Sequence, residues 1–269
     1  MNIITVYSAK GGVGKTTTSI NLAAALTHCD KKVLLIDGDW QGNATLGMGL
    51  NPRDVDRIAL ADLLIAQIEN PEKAEKLVKQ CIVYLEKENL YLIPTNALMN
   101  NEEFRWVIAA PENRYVLSDL LSYVDFDFVI IDTPASLDGF LNLAMMASDS
   151  VIVPTEMEFL SYDGLENTFN VIETIKENFN PKLDIVGVLL NKTGTSNKAK
   201  QLREMIIDYT EREHIYVFKS EIPRRDAIHD CIPDKETIFS KRSNTKDNYL
   251  TLAEEIIKLS KSKKKREGV

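Results

Sequence analysis

The chain has 269 residues, 44% hydrophobic and 27% charged, with a net charge of −8. These values suit a globular protein with one large core, and the acidic balance leaves any contact with nucleic acid or anionic lipid to a local basic patch. No apolar run approaches the ~20 residues that span a bilayer, and Lys10 interrupts the short apolar start, so neither a spanning helix nor a secretory signal is expected.

Short apolar runs alternate with helical patterns along the chain. The expected strands are Ile3–Tyr7, Val33–Ile36, Leu90–Ile93, Phe128–Ile131, Ser150–Val153, Ile185–Leu190 and Ile215–Phe218. A helical stretch, Thr17 to Leu26, follows the first. Residues 51–113 are the least regular and read as several short helices, with the next helix starting near Glu112 or Asn113 after Pro111. Leu165, Phe169, Ile172 and Ile175 repeat at helical spacing, as do Leu202, Met205, Ile206 and Tyr209. The last helix is expected over Tyr249–Leu259. The fold class is therefore α/β: a doubly wound, mostly parallel sheet with helices on both faces. No Pro-, Gly- or Ser-rich linker divides the chain, so residues 1–260 read as one domain and 261–269 as a basic tail. That tail is either disordered or a DNA contact. Cys29, Cys81 and Cys231 lie far apart and read as reduced thiols.

Ligands in such a sheet sit beyond the C-terminal strand ends, and four motifs fall there. The first is Ser8-Ala9-Lys10-Gly11-Gly12-Val13-Gly14-Lys15-Thr16-Thr17. A strand, a Gly-rich loop and a helix make a phosphate cradle from backbone N–H groups and a helix N-terminus. Lys15 can reach the β- and γ-phosphates, and the Thr16 hydroxyl can ligate Mg²⁺. The second runs from Phe128 through Asp132 to Pro134. Asp132 can hold Mg²⁺ through a water, or it can cap a helix. The third is Asp37-Gly38-Asp39-Trp40-Gln41-Gly42-Asn43, which puts Asp37 by the outer shell of the metal and Asp39 by the attacking water; an Asp-Gly-Asp turn is the plain alternative. The fourth ends a strand in Asn191-Lys192, where the Asn191 amide can read an adenine edge. Residues Ala135 to Phe140 form an expected switch loop that senses the γ-phosphate.

The pattern K-G-G-x-G-K-T-T resembles the deviant Walker A motif of the ParA/MinD family, with Ala9 where the common P-loop has glycine. Asp37 to Asn43 resembles that family's second box, with Trp40 where proline is usual. Ile222-Pro223-Arg224 resembles the loop after the last strand in ParA proteins. The resemblance is closest to ParA/Soj partition ATPases and runs from Met1 to about Ser260. It implies an ATP- and Mg²⁺-dependent ATPase, a homodimer with ATP in which Lys10 crosses to the partner's nucleotide, and slow hydrolysis with Lys10, Lys15 and Asp39 as catalytic groups. It also implies base contacts by Asn191 and Pro223, non-specific binding to double-stranded DNA, and a ParB-like centromere-binding partner. The expected location is cytoplasmic, on the nucleoid in the ATP state. A first strand that begins at residue 2 matches the shorter branch, without an N-terminal DNA-reading domain. Lys198, Lys200, Arg203, Arg224 and Arg225 are the candidate DNA contacts, with Lys192, Lys241 and Arg242 nearby; a solvated helix face is the alternative. Two other functions stay open. One is a MinD-like positioning ATPase on membranes, for which the tail supplies lysines and almost no apolar side chain, so no stable insertion is expected. The other is a nucleotide-gated regulator that acts through a protein partner.

Overall fold

The strands are β1 (Asn2–Val6), β2 (Val33–Asp37), β3 (Val83–Leu85), β4 (Leu90–Ile93), β5 (Phe128–Asp132), β6 (Ser150–Glu156), β7 (Asp184–Thr193) and β8 (Ile222–Pro223). The helices are α1 (Lys15–His28), α2 (Asn43–Gly47), α3 (Leu60–Glu69), α4 (Pro71–Cys81), α5 (Glu102–Ala109), α6 (Val116–Leu121), α7 (Gly139–Ala147), α8 (Ser161–Asn178), α9 (Asn197–Arg212), α10 (Asp226–His229) and α11 (Thr245–Glu267). These elements come from a computed structural model that describes residues 1–136, 139–158 and 161–267. All eight strands join one sheet in the order β3-β4-β2-β5-β1-β6-β7-β8. Every pairing is parallel except β3 with β4.

The central strands are buried on both faces, which is why they read as unbroken apolar runs rather than as alternation. Along each, successive side chains enter opposite layers. Ile4, Val6, Val33, Leu35, Phe128 and Ile130 join the core made with α1 and α11. Leu34, Ile36, Val129 and Ile131 join the opposite core, with α3, α4, α6 and α7. Val151, Val153, Val188 and Leu190 extend that side under α8 and α9.

The main departures from the sequence expectations lie at the edges. Ile215–Phe218 is not a strand: Val217 makes a single bridge to Val188, and the chain then moves on so that Ile222 and Pro223 take the edge. Proline lacks an N–H, and an edge position leaves no ladder donor missing. The antiparallel strand β3 was not expected. It is three residues long, and its middle residue, Tyr84, is exposed. Pro111–Asn113 forms one 3₁₀ turn, so α6 begins at Val116. The last helix continues past Leu259 to Glu267, through residues of high helix propensity. Lys263 Nζ fastens that extension, donating to the carbonyls of Asp149 at 2.9 Å and Lys182 at 3.1 Å.

The junction between β2 and α7 is tight. A Cβ on Gly38 would lie 1.8 Å from Cε1 of the buried Phe140 ring. Gly38→Ala should cost about 1–3 kcal/mol by overpacking, read as a lower midpoint in urea unfolding; an unchanged midpoint contradicts this packing.

Candidate functional site

The C-terminal ends of the central strands open into a cavity of about 540 Å³ whose lining includes Gly12, Lys15, Thr16, Asp39, Trp40 and Ser136. The loop after β1 wraps its floor. Gly12 and Gly14 adopt φ of 78° and 89°, the left-handed region that glycine enters without cost. Gly11 and Gly12 are exposed, whereas Val13 is fully buried and anchors the loop. The loop also has side supports, since Ala9 N–H donates to Thr168 Oγ1 of α8 at 3.0 Å. Thr16 and Thr17 stand partly exposed in the first turn of α1, at the positive end of the helix dipole.

Lys15 is 8% exposed. Its ammonium donates to the carbonyls of Ser8 at 3.1 Å and Lys10 at 3.4 Å. Burial lowers its pKa, and the carboxylates of Asp132 and Asp39 oppose that. Asp132 ends β5, fully buried. Ser19 of α1 donates to its Oδ1 at 2.8 Å, and its buried Oδ2 has no hydrogen-bond partner among the described residues. The Asp132 carboxyl is raised to about 8, first by burial and then by the Asp37 charge, with the hydroxyls of Thr16 and Ser19 opposing the rise in part. An orphaned buried carboxylate oxygen beside Lys15 and Thr16 is an incomplete coordination set. A hard divalent cation accepts that donor type.

Asp37, the outer-shell candidate, is tied into the loop that follows β2. It is fully buried, and its oxygens already accept from Thr45 N–H and Thr45 Oγ1, both at 2.6 Å, and from Asp39 N–H at 3.3 Å. Its carboxylate builds the loop, and burial raises it to about 7. Asp39 is partly exposed on the cavity wall. Its Oδ1 accepts from Gln41 N–H at 2.9 Å, and its carbonyl accepts from Gly42 N–H at 2.8 Å. Trp40 thus holds the second place of a four-residue turn, the place where proline is favoured. The turn forms without the proline, and it leaves the indole 39% exposed on the cavity rim.

Lys10 is paired within the chain. Its ammonium meets Glu158 Oε2 at 2.7 Å, and its side chain is 23% exposed. Asn191 is 3% exposed; its Nδ2 donates to Val13 O at 2.7 Å and its Oδ1 accepts from Lys192 N–H at 2.9 Å, which leaves one N–H and one lone pair of the amide. Asn191, the base-reading candidate, also ties β7 to the Gly-rich loop. Pro223 sits in β8, registered on Thr193. In the expected switch loop, Leu137 and Asp138 lie outside the described residues.

Among the basic candidates, Lys198 and Lys200 are exposed on α9, and Arg224 and Arg225 are exposed just after β8. The β7–β8 pairing brings the two groups to one edge of the sheet. Arg203 bridges them differently, through Glu221 at 2.5 Å. Lys241 pairs with Asp234 and Glu236, which removes it from any free basic stripe. Sequence reasoning missed Ser19, Thr45, Glu156 and Glu158, because only the tertiary fold brings them to the site. It also missed Ile232, which lines the cavity.

Burial keeps protons on Asp37 and Asp132 in the folded chain that the unfolded chain releases near pH 4. Stability from these groups is full below that pH and is lost as pH rises through about 7 and about 8. With a chelator present, the thermal midpoint should fall by about 5 °C between pH 6 and pH 9. Asp132→Asn should remove about half of that fall; equal slopes for variant and wild type contradict the assignment.

Residues 1–185 match a family model described as an AAA domain. The chain is 34% identical to the sporulation initiation inhibitor protein Soj of Bacillus subtilis, over 94% of this chain and 97% of that protein. It is 32% identical to the chromosome partitioning protein ParA of Caulobacter vibrioides, over 96% of this chain and 94% of that one. A solved structure of cobyrinic acid a,c-diamide synthase from Mycobacterium smegmatis, with bound ATP analog and magnesium, matches at a TM-score of 0.79 and 26% identity, over 97% of this chain and 96% of that chain. The chain belongs to the ParA/Soj family of P-loop ATPases.

Proposed function

We propose that this protein is a Mg²⁺-dependent ATPase that dimerises with ATP, binds double-stranded DNA without sequence preference in that state, and works in DNA partitioning with a ParB-like partner that stimulates hydrolysis. The observation that carries the reading is the buried Asp132 Oδ2, without a hydrogen-bond partner among the described residues, next to Thr16 and Ser19 of the helix that follows the Gly-rich loop. Thr16 and Asp132 would hold Mg²⁺, which supplies charge neutralisation on the phosphate oxygens when bound.

The residues of the chain then divide the work. Backbone N–H groups from Gly11 to Thr16 and the α1 dipole receive the phosphates. The Lys15 ammonium, held only by two carbonyls, turns to the β- and γ-phosphates and steadies charge as the γ-phosphorus leaves the bridging oxygen. Asp39 orients the attacking water. The transition state is loose, so positioning does most of the work. Lys10 leaves Glu158 and reaches the nucleotide of a second subunit. Lys198, Lys200, Arg224 and Arg225 offer phosphate contacts that carry no sequence information. The kinship with Soj and ParA supports the partner and the DNA. Among the described residues no helix is long and apolar enough to cross a membrane.

Lys15→Ala should abolish ATP binding. Lys10→Ala should bind ATP as well as wild type does and stay monomeric in size-exclusion light scattering with ATP and Mg²⁺. An ATP dimer of Lys10→Ala counts against a cross-subunit lysine, and tight ATP binding by Lys15→Ala counts against the phosphate site.

A further inference from the structure

The outer side of the Gly-rich loop is held by two neighbouring residues of β7. Lys192 Nζ donates to Gly12 O at 2.6 Å, and Asn191 Nδ2 donates to Val13 O at 2.7 Å. A trans peptide is planar, so its C=O and N–H point in opposite directions. Pinning Gly12 O toward β7 aims the Val13 N–H the other way. Pinning Val13 O does the same for the Gly14 N–H. Gly11, Gly12 and Gly14 line the cavity.

The lysine is itself held in place. Glu156, the last residue of β6, meets Lys192 Nζ at 2.5 Å, and the carboxylate-bearing side chain is 11% exposed. Lys192 has φ of 51°, a left-handed conformation that a lysine adopts only under constraint. Asn191 Oδ1 accepts from the Lys192 N–H and stabilises that bend. Gly14 closes on the same pair, since a Cβ there would lie 2.5 Å from Asn191 Nδ2. Strain of this kind is kept where the surrounding contacts over-determine it.

We propose that Asn191 and Lys192, braced by Glu156, form a clamp behind the loop that fixes the direction of its phosphate-binding N–H groups, so that these residues set affinity for the polyphosphate and not for the base. The proposal rests on the phosphate-site reading above. Lys192 is a positioning residue here: its cation lies on a carbonyl of the loop and works through the peptide that carries it. An oriented donor set binds with less ordering cost than a loose one, and a cation on the carbonyl polarises the N–H on the far side of the same peptide.

Inorganic tripolyphosphate separates the two roles, because it has no base. Binding of tripolyphosphate and of an imido analogue of ATP, each with Mg²⁺, would be titrated calorimetrically into wild type, Lys192→Met and Lys192→Arg. Lys192→Met should lose at least about tenfold in affinity for both ligands by the same factor, in line with loss of a charged hydrogen bond. KM for ATP should rise with it, while kcat holds within about twofold. Lys192→Arg should recover most of the loss. Glu156→Gln should show the same equal loss on a smaller scale, and it carries the test if Lys192→Met does not fold. A loss for the ATP analogue alone assigns the pair to the base and overturns the proposal; no loss for either ligand overturns it as well. A wild-type protein that binds neither ligand would instead overturn the phosphate-site reading itself.

Discussion

Lys15, Asp37 and Asp132 bring three ionisable groups into one buried cluster, where charge is expensive to hold. The fold meets that cost unevenly. Asp37 is satisfied by the backbone and side chain of Thr45. Lys15 finds only carbonyls, one of them at 3.4 Å. Asp132 keeps one oxygen without a partner. Lys15 lines the cavity, and Asp132 lies buried beside it, near enough for its charge to act on Lys15. A polyanion and a divalent cation would together finish the cluster: the anion beside Lys15, the cation beside Asp132. Groups held in place in this way need no rearrangement during reaction, which is preorganisation.

The parallel sheet makes this arrangement possible. β1, β2 and β5 are in register neighbour to neighbour, with Val6 beside Asp132 and Asp132 beside Asp37. Three loops therefore leave the sheet at one level, and their side chains converge. The Asp39–Gly42 turn is rigid for local reasons, through the Asp39 carboxylate and the Gly42 amide. Lys10, Glu158, Glu156 and Lys192 add a second tier around the loop. Two carboxylates two residues apart at the end of β6 each hold a lysine, one from each side of the glycines. The Lys10–Glu158 contact is a partly exposed ion pair, and breaking such a pair costs little.

Much of this was legible in the residues. Buried parallel strands read as apolar runs, and the Gly-rich loop, Asp132 and Asp39 stand where strand ends put them. Three things were not legible. Edge strands are too short to carry a pattern: β8 has two residues and contains a proline. The helical extension beyond Leu259 is polar, and polar runs of good helix formers resemble tails. The roles of Asp37 and Asn191 turned on distant contacts, with Thr45 and with Val13, that no spacing announces. In both cases a side chain expected to face a ligand also shapes the loop beside it. Trp40 shows the converse. Its place in the turn was a matter of local geometry, and the turn tolerates tryptophan where proline is usual.

The central claim is that nucleotide state at this site controls binding to DNA. Its most direct test is the affinity of an Asp39→Ala variant for mixed-sequence duplex DNA, by fluorescence anisotropy, with ATP and with ADP, at two salt concentrations. The account predicts tight binding with ATP, little with ADP, and a steep loss of affinity at the higher salt as counterions compete. Equal affinity in both nucleotides, or no binding in either, would contradict it.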